Sequence, residues 1–152
     1  LYGHAMEARI YSEDPENNFL PGSGKIQILK QPKEIDNVVR VDTGVREGDT
    51  ITTFYDPMIS KLIVHADTRE AAIQELYNAL DNYKVVGLPT NIKFLKRVLL
   101  NDDFIKWDYD TSFIAQNEEE LLGIHEKIAS ASPIDTMAQV AIASSWLQHL
   151  LD

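Results

Sequence analysis

The stretch His4-Ala5-Met6-Glu7-Ala8-Arg9-Ile10-Tyr11 decides the fold. Met6, Ala8 and Ile10 alternate with Glu7, Arg9 and Tyr11, and a period of two is that of a half-buried strand. Glu7 and Arg9 then share a face. Asp14-Pro15 ends the strand. Pro21-Gly22-Ser23-Gly24 reads as a turn, with a short strand after it near residues 26–29. A second strand pair is expected across residues 38–41 and 50–54, joined around Glu47-Gly48-Asp49. Lys61-Leu62-Ile63-Val64-His65 is a further apolar, β-branched run. Strands this close together, with short turns, predict an antiparallel sheet.

Helices follow. Asp67 with Glu70 three residues on is a capping-box-like start, and Ile73, Leu76, Tyr77 and Leu80 recur at helical spacing. Gly87-Leu88-Pro89 breaks the chain, and Thr90 is expected to cap a second helix whose Ile92, Leu95, Val98 and Leu99 share a face. Asn117 with Glu120 marks a third start, and Ser132-Pro133 a fourth. Residues 134–151 carry few polar side chains, so this last helix is expected to need cover from another segment or subunit. The fold class is therefore α+β: an antiparallel sheet of short strands, then packed helices.

The chain has 152 residues, 44% of them hydrophobic, enough for one ordinary core. Its formal net charge of −10, with no basic cluster, argues against nucleic acid and against an anionic membrane surface. No stretch approaches the roughly 18 consecutive apolar residues that span a bilayer. The absence of cysteine removes disulfides, a thiolate nucleophile and thiolate metal sites. Residues 102–120 hold seven acids and one base, and mark the expected internal joint. The start at Leu1-Tyr2-Gly3-His4 reads as that of an excised or processed piece.

Several motifs invite a chemical reading. His4, His65, His125 and His149 lack ligand spacing, and no metal site is expected. Gly22-Ser23-Gly24-Lys25 lacks the spacing of a phosphate loop and is followed by a strand, so it reads as a plain turn. The face carrying Glu7, Arg9 and Tyr11 either meets water or lines a polar cleft. Tyr55-Asp56-Pro57-Met58 is either a turn or part of a site.

These blocks are also recognisable. Residues 3–15, from Gly3-His4-Ala5-Met6-Glu7-Ala8-Arg9 to Ser12-Glu13-Asp14-Pro15, resemble a signature of biotin carboxylases. Phe19-Leu20-Pro21, Val41-Asp42-Thr43-Gly44-Val45 and Tyr55-Asp56-Pro57-Met58-Ile59-Ser60-Lys61-Leu62 continue it in order. Arg69, Ala72, Leu80 and Gly87-Leu88-Pro89-Thr90-Asn91 follow. The resemblance covers about residues 2–116, and its flavour is similar to the biotin-containing (alpha) subunits of acyl-CoA carboxylases acting on methylcrotonoyl-CoA or propionyl-CoA. Ser12, where the family often has Ala, and Gly22 are small departures.

The resemblance implies that residues 1–116 are the C-terminal lobe of a biotin carboxylase. Residues 117–152 would be a helical linker and the incomplete start of a domain linking to the carboxyltransferase subunit. It implies an ATP-dependent carboxylation of biotin from bicarbonate, with biotin and ATP-Mg used by the full enzyme and none bound by this piece alone. The ATP-grasp carboxylates and phosphate-gripping lysines lie upstream in the family, so the isolated chain is expected to be inactive. Arg9 matches the arginine that contacts biotin and bicarbonate. Glu7 is expected either to orient Arg9 or to pair with another basic residue, and Asp56 to hold the Arg9 guanidinium. Thr111 and Ser112 fall at the adenine side of the cleft. The implied partners are the N-terminal and ATP-grasp lobes, the biotinyl carrier domain and the carboxyltransferase subunit. The implied compartment is the mitochondrial matrix in a eukaryote, or the cytoplasm in a bacterium. An assembly module for subunit contacts, or a non-catalytic ligand-binding domain of the same fold, are the alternatives.

Overall fold

A computed structural model describes residues 2–123. The expected fourth helix, His125 and His149 lie outside the described residues. The described residues build nine strands: β1 His4–Tyr11, β2 Glu13–Asp14, β3 Leu20–Pro21, β4 Gly24–Lys25, β5 Ile28–Lys30, β6 Val39–Thr43, β7 Thr50–Ile51, β8 Met58–Ala66 and β9 Lys84–Val86. Five helices accompany them: α1 Arg69–Asn82, α2 Ile92–Leu100, α3 Asp102–Lys106, α4 Phe113–Gln116 and α5 Glu118–Leu121.

The main sheet has the order β1-β8-β6 and is antiparallel throughout. Its register follows from the apolar pattern. Ala8 pairs with Leu62, and Leu62 with Val41; Met6 pairs with Val64, and Val64 with Val39. One face is thereby apolar across three strands, and a slip of one residue would turn it to solvent. Helix α1 covers this face with Ala72, Ile73, Leu76 and Leu80. Ile10, Ile59, Leu62 and Leu80 are wholly enclosed. The opposite face presents Glu7 and Arg9 from β1, Lys61 from β8, and Arg40 and Asp42 from β6.

Three local expectations are corrected. The stretch at 38–41 does not pair with that at 50–54. Strand β6 pairs with β8, while β7 stops at Ile51 and pairs with β4. The cause is the turn between them. Gly48 N donates to Ile26 O, and Ile26 N to Asp49 O, so the turn is tied to the β4 side. The strand expected at 26–29 is broken at Gln27, where the chain changes partner from β7 to β9. Helix α1 is capped by Thr68 rather than Asp67: Thr68 Oγ1 accepts from Ala71 N at 3.1 Å, while Asp67 accepts from the Tyr2 hydroxyl.

Helix α2 starts one residue later than expected, with Asn91 rather than Thr90 at its N-cap. It packs on both hydrophobic clusters. Ile92 and Leu99 join the main core, while Phe94 joins Phe113 and Leu121. The short helix α3 is held from α1. Arg69, only 7% exposed, donates to the carbonyls of Phe104 (2.6 Å) and Ile105 (2.7 Å). Its guanidinium also stands over the rings of Phe104 and Trp107.

Candidate functional site

Strand β1 is an edge strand. A cleft of about 630 Å3 runs beside it, lined by all six residues from His4 to Arg9. Side chains alternate along a strand, so a cleft over one face could not touch six in succession; it lies against the open edge. Tyr11 and Glu13 line it too, and Leu95, Leu99 and Phe104 form apolar wall on the helical side.

Arg9 and Glu7 come together as their spacing allows. Arg9 Nε donates to Glu7 Oε1 at 3.0 Å. Of the two alternatives for Glu7, the structure shows the contact with Arg9. The hydrogen bond to Glu7, and a further one with the Tyr11 side chain, hold the guanidinium pKa above its ordinary value. The two side chains are 58% and 40% exposed, so the pair contributes little to stability. Its consequence is orientation: one edge of the guanidinium is pinned while the group stays open to solvent.

The backbone of Arg9 is fixed from the other side of the fold. Asn91 Nδ2 donates to Arg9 O at 3.0 Å, and Tyr11 N donates to Asn91 Oδ1 at 3.0 Å. Asn91 N also donates to Tyr11 O at 3.3 Å. Asn91 is 7% exposed and makes no side-chain cap on its own helix, because its carboxamide is spent on β1. Sequence reasoning missed this residue. The position two residues after a proline and just before an apolar helix signals a cap, and nothing local signals a bond 80 residues away.

Asp56 is placed differently from the expectation. It lies at the exposed tip before β8, and its charge acts on Glu13. Burial first, and then the Asp56 charge, raise the Glu13 carboxyl pKa. The interactions that set the Arg9 pKa come from Glu7 and Tyr11 and do not include Asp56. Thr111 and Ser112 are not brought to the Arg9 cleft. Thr111 is exposed, and Ser112 precedes α4 with its amide donating to Asp110 Oδ1 at 2.7 Å. The Ser112 hydroxyl first, and then this amide bond, lower the Asp110 pKa. His4 is exposed at the start of β1, and His65 Nε2 lies 3.2 Å from Tyr2 O. Ser12 is fully buried, and its hydroxyl donates to Gly22 O at 3.1 Å; the turn expected at 21–24 is instead an extended link, with Pro21 ending β3 and Gly24 opening β4.

Among the described residues, no group of three or more His, Cys, Asp or Glu could hold a metal ion. No helix among them is long and apolar enough to cross a membrane. The arrangement offers one pre-oriented, solvent-facing cation beside a cleft with an apolar wall. Such a group can stabilise negative charge developing on a bound oxygen.

Comparison with known proteins gives this geometry a context. The family described as Biotin carboxylase C-terminal domain matches residues 7–116. The mitochondrial methylcrotonoyl-CoA carboxylase subunit alpha of Dictyostelium discoideum is 48% identical over 122 residues, covering 80% of this chain and 17% of that protein. The same subunit of Rattus norvegicus is 46% identical over 132 residues, covering 87% of this chain and 18% of that protein. The chain thus spans less than a fifth of the length of these relatives. Among solved structures, the biotin carboxylase domain of Hydrogenobacter thermophilus 2-oxoglutarate carboxylase, in complex with MgADP, ADP and bicarbonate, superimposes with a TM-score of 0.76. It is 30% identical, and the match covers 80% of this chain and 26% of that one. The family match over residues 7–116 and the superposition on a solved biotin carboxylase domain agree with the α+β fold, and the chain belongs to the biotin carboxylase C-terminal domain family.

Proposed function

We propose that this chain is the C-terminal lobe, residues 1–116, of an ATP-dependent biotin carboxylase within an acyl-CoA carboxylase, with methylcrotonoyl-CoA as the acyl substrate. Residues 117–152 begin the segment that leads to the next domain. The observation that carries the reading is the Glu7-anchored Arg9 on the exposed face of β1, inside the matched family region. The methylcrotonoyl assignment rests on the two curated relatives.

The residues present fit a ureido ligand: a planar cation, held at Nε and open to solvent, meets a planar oxygen acceptor well. When bound, biotin supplies the ureido nitrogen that accepts the carboxyl group, and ATP-Mg supplies the energy that activates bicarbonate. Arg9 is the catalytic residue in this reading. It stays protonated throughout and donates toward oxygen as negative charge grows there. Glu7 keeps the fork from rotating away. Leu95 and Leu99 give the cleft its dry wall, which strengthens any charge–dipole contact made inside it. The nucleotide-gripping groups come from the upstream lobes of the same polypeptide. A biotinyl carrier domain, which delivers the ligand, and a carboxyltransferase subunit complete the assembly; the mitochondrial matrix is the proposed compartment, supported by the two curated relatives being named mitochondrial.

Bicarbonate-dependent ATP hydrolysis of the parent polypeptide, with and without free biotin, tests this. Biotin should stimulate the wild type, and Arg9→Ala should lose that stimulation by about a hundredfold or more. Biotin without effect on either protein would overturn the reading.

A further inference from the structure

We infer that Asn91 is a positioning residue for Arg9, acting through the β1 backbone; the inference rests on the biotin-facing role of Arg9 proposed above. Strand β1 has β8 on one side and no strand on the other. An unpaired edge next to a cleft is free to twist, fray or take water. At Arg9–Tyr11 this edge is not unpaired. The Asn91 carboxamide donates to the carbonyl of residue 9 and accepts from the amide of residue 11. These are the two backbone groups that one residue of a parallel neighbouring strand would bond through its own N–H and C=O. A single side chain therefore stands in for a fourth strand over the two residues that flank Ile10.

Two further features give the contact authority. Asn91 is itself rigid: it begins α2, its carbonyl accepts from Leu95 N at 3.0 Å, and it is 7% exposed. Ile10, between the two bonded residues, is wholly buried in the main core. The backbone at Arg9 is thus clamped by the core on one side and by α2 on the edge. Glu7 then needs only to fix the side-chain torsions. Neither device suffices alone, because Glu7 shares the same strand and moves with it.

The chemistry of the amide matters. Asn91→Asp keeps an acceptor for Tyr11 N but replaces the donor to Arg9 O with a carboxylate oxygen facing a carbonyl oxygen. The strand should retreat locally at Arg9 while Tyr11 stays bound. A small misplacement of a group that must meet a developing charge costs about ten- to a hundredfold in rate.

The test uses the parent polypeptide, with ATP, bicarbonate and free biotin. Asn91→Asp should lower kcat/KM for biotin by about ten- to a hundredfold, with KM for ATP and the rate without biotin unchanged. In an Arg9→Ala background the same substitution should have no further effect on the biotin-dependent rate. A loss that falls equally on the biotin-free rate, or that persists undiminished in the Arg9→Ala background, would assign Asn91 to general stability and overturn the inference. If Asn91→Asp does not fold, Asn91→Ser removes the donor to Arg9 O without adding charge, and the same two comparisons decide. Failure of the underlying reading looks different: Arg9→Ala itself would then keep full biotin stimulation.

Discussion

The Ser60 and Tyr83 hydroxyls meet at 2.9 Å in the core, each residue 2% exposed. Ser60 lies on β8 between Ile59 and Lys61, and Tyr83 closes α1 at its C-cap. The bond ties the end of the helix to the strand beneath it. Gln31 Nε2 approaches the same Tyr83 oxygen at 3.5 Å, a weak third contact.

A buried hydroxyl pair is costly to break on one side only. Tyr83→Phe should destabilise the fold by about 1–3 kcal/mol, because Ser60 is left without its partner. Ser60→Ala should do the same. The double variant should lose less than the sum of the two, since neither hydroxyl of the pair is then stranded. Urea denaturation of the four proteins gives the coupling directly, and strictly additive losses would show that the bond contributes nothing.

Arg69 is a second internal cross-link. Its two carbonyl acceptors and two ring contacts all lie on α3 and the residue after it. A lysine keeps the charge but cannot reach both carbonyls in one plane. Arg69→Lys should therefore cost about 1–3 kcal/mol, and Arg69→Ala more. Because Phe104 also lines the Arg9 cleft, protection of the α3 amides against hydrogen exchange should fall before that of β8.

Most of the sheet and both long helices were legible because their apolar residues repeat with clean periods. Strand β1 and helix α1 carry such patterns over eight or more residues, and β8 shows as the apolar, β-branched run at residues 61–65 within Met58–Ala66. The short strands β2, β3, β4, β7 and β9 were not legible or were mispaired. Each is two or three residues long, too short for a period, and its partner is chosen by turns elsewhere. Phe54 shows the limit plainly: it continues an apparently β-favouring run, yet it is 87% exposed in a loop. At the site, the spacing of two places Glu7 and Arg9 on one face, while their reading as site residues came from the resemblance. Asn91 was not, because its partners lie across the whole fold.

Gly87 and Gly48 separate two reasons for glycine. Both have a positive φ, +115° and +92°. A Cβ on Gly87 would sit 2.3 Å from Lys25 O, a backbone atom at the β4–β5 junction, whereas a Cβ on Gly48 meets nothing within 4 Å. Gly48→Ala should cost only the conformational penalty, about 1–2 kcal/mol. Gly87→Ala adds a backbone clash and should cost about 3 kcal/mol or more. Denaturation midpoints of the two variants check this ordering. Equal losses would mean that the segment from β9 to α2 relaxes freely, which would also weaken the case for a rigid Asn91.

Glu13 connects the site to pH. Burial and the nearby Asp56 charge favour its neutral form, so its folded pKa lies above the ordinary glutamate value. For an acid raised in this way, the fold is favoured while the group is protonated. That contribution is present below the ordinary value and is lost as pH rises through the raised folded value. At neutral pH, ionised Glu13 therefore opposes folding. Glu13→Gln should raise the denaturation midpoint at pH 7 and leave it nearly unchanged in acid below the ordinary glutamate value. Asp56→Asn should shift the Glu13 titration downward, read from the side-chain carbonyl carbon by NMR. Burial is the first cause and Asp56 the second, so the shift should be partial. Full return of Glu13 to its ordinary value would make Asp56 the main cause, and no movement at all would remove Asp56 from the surroundings of this carboxyl.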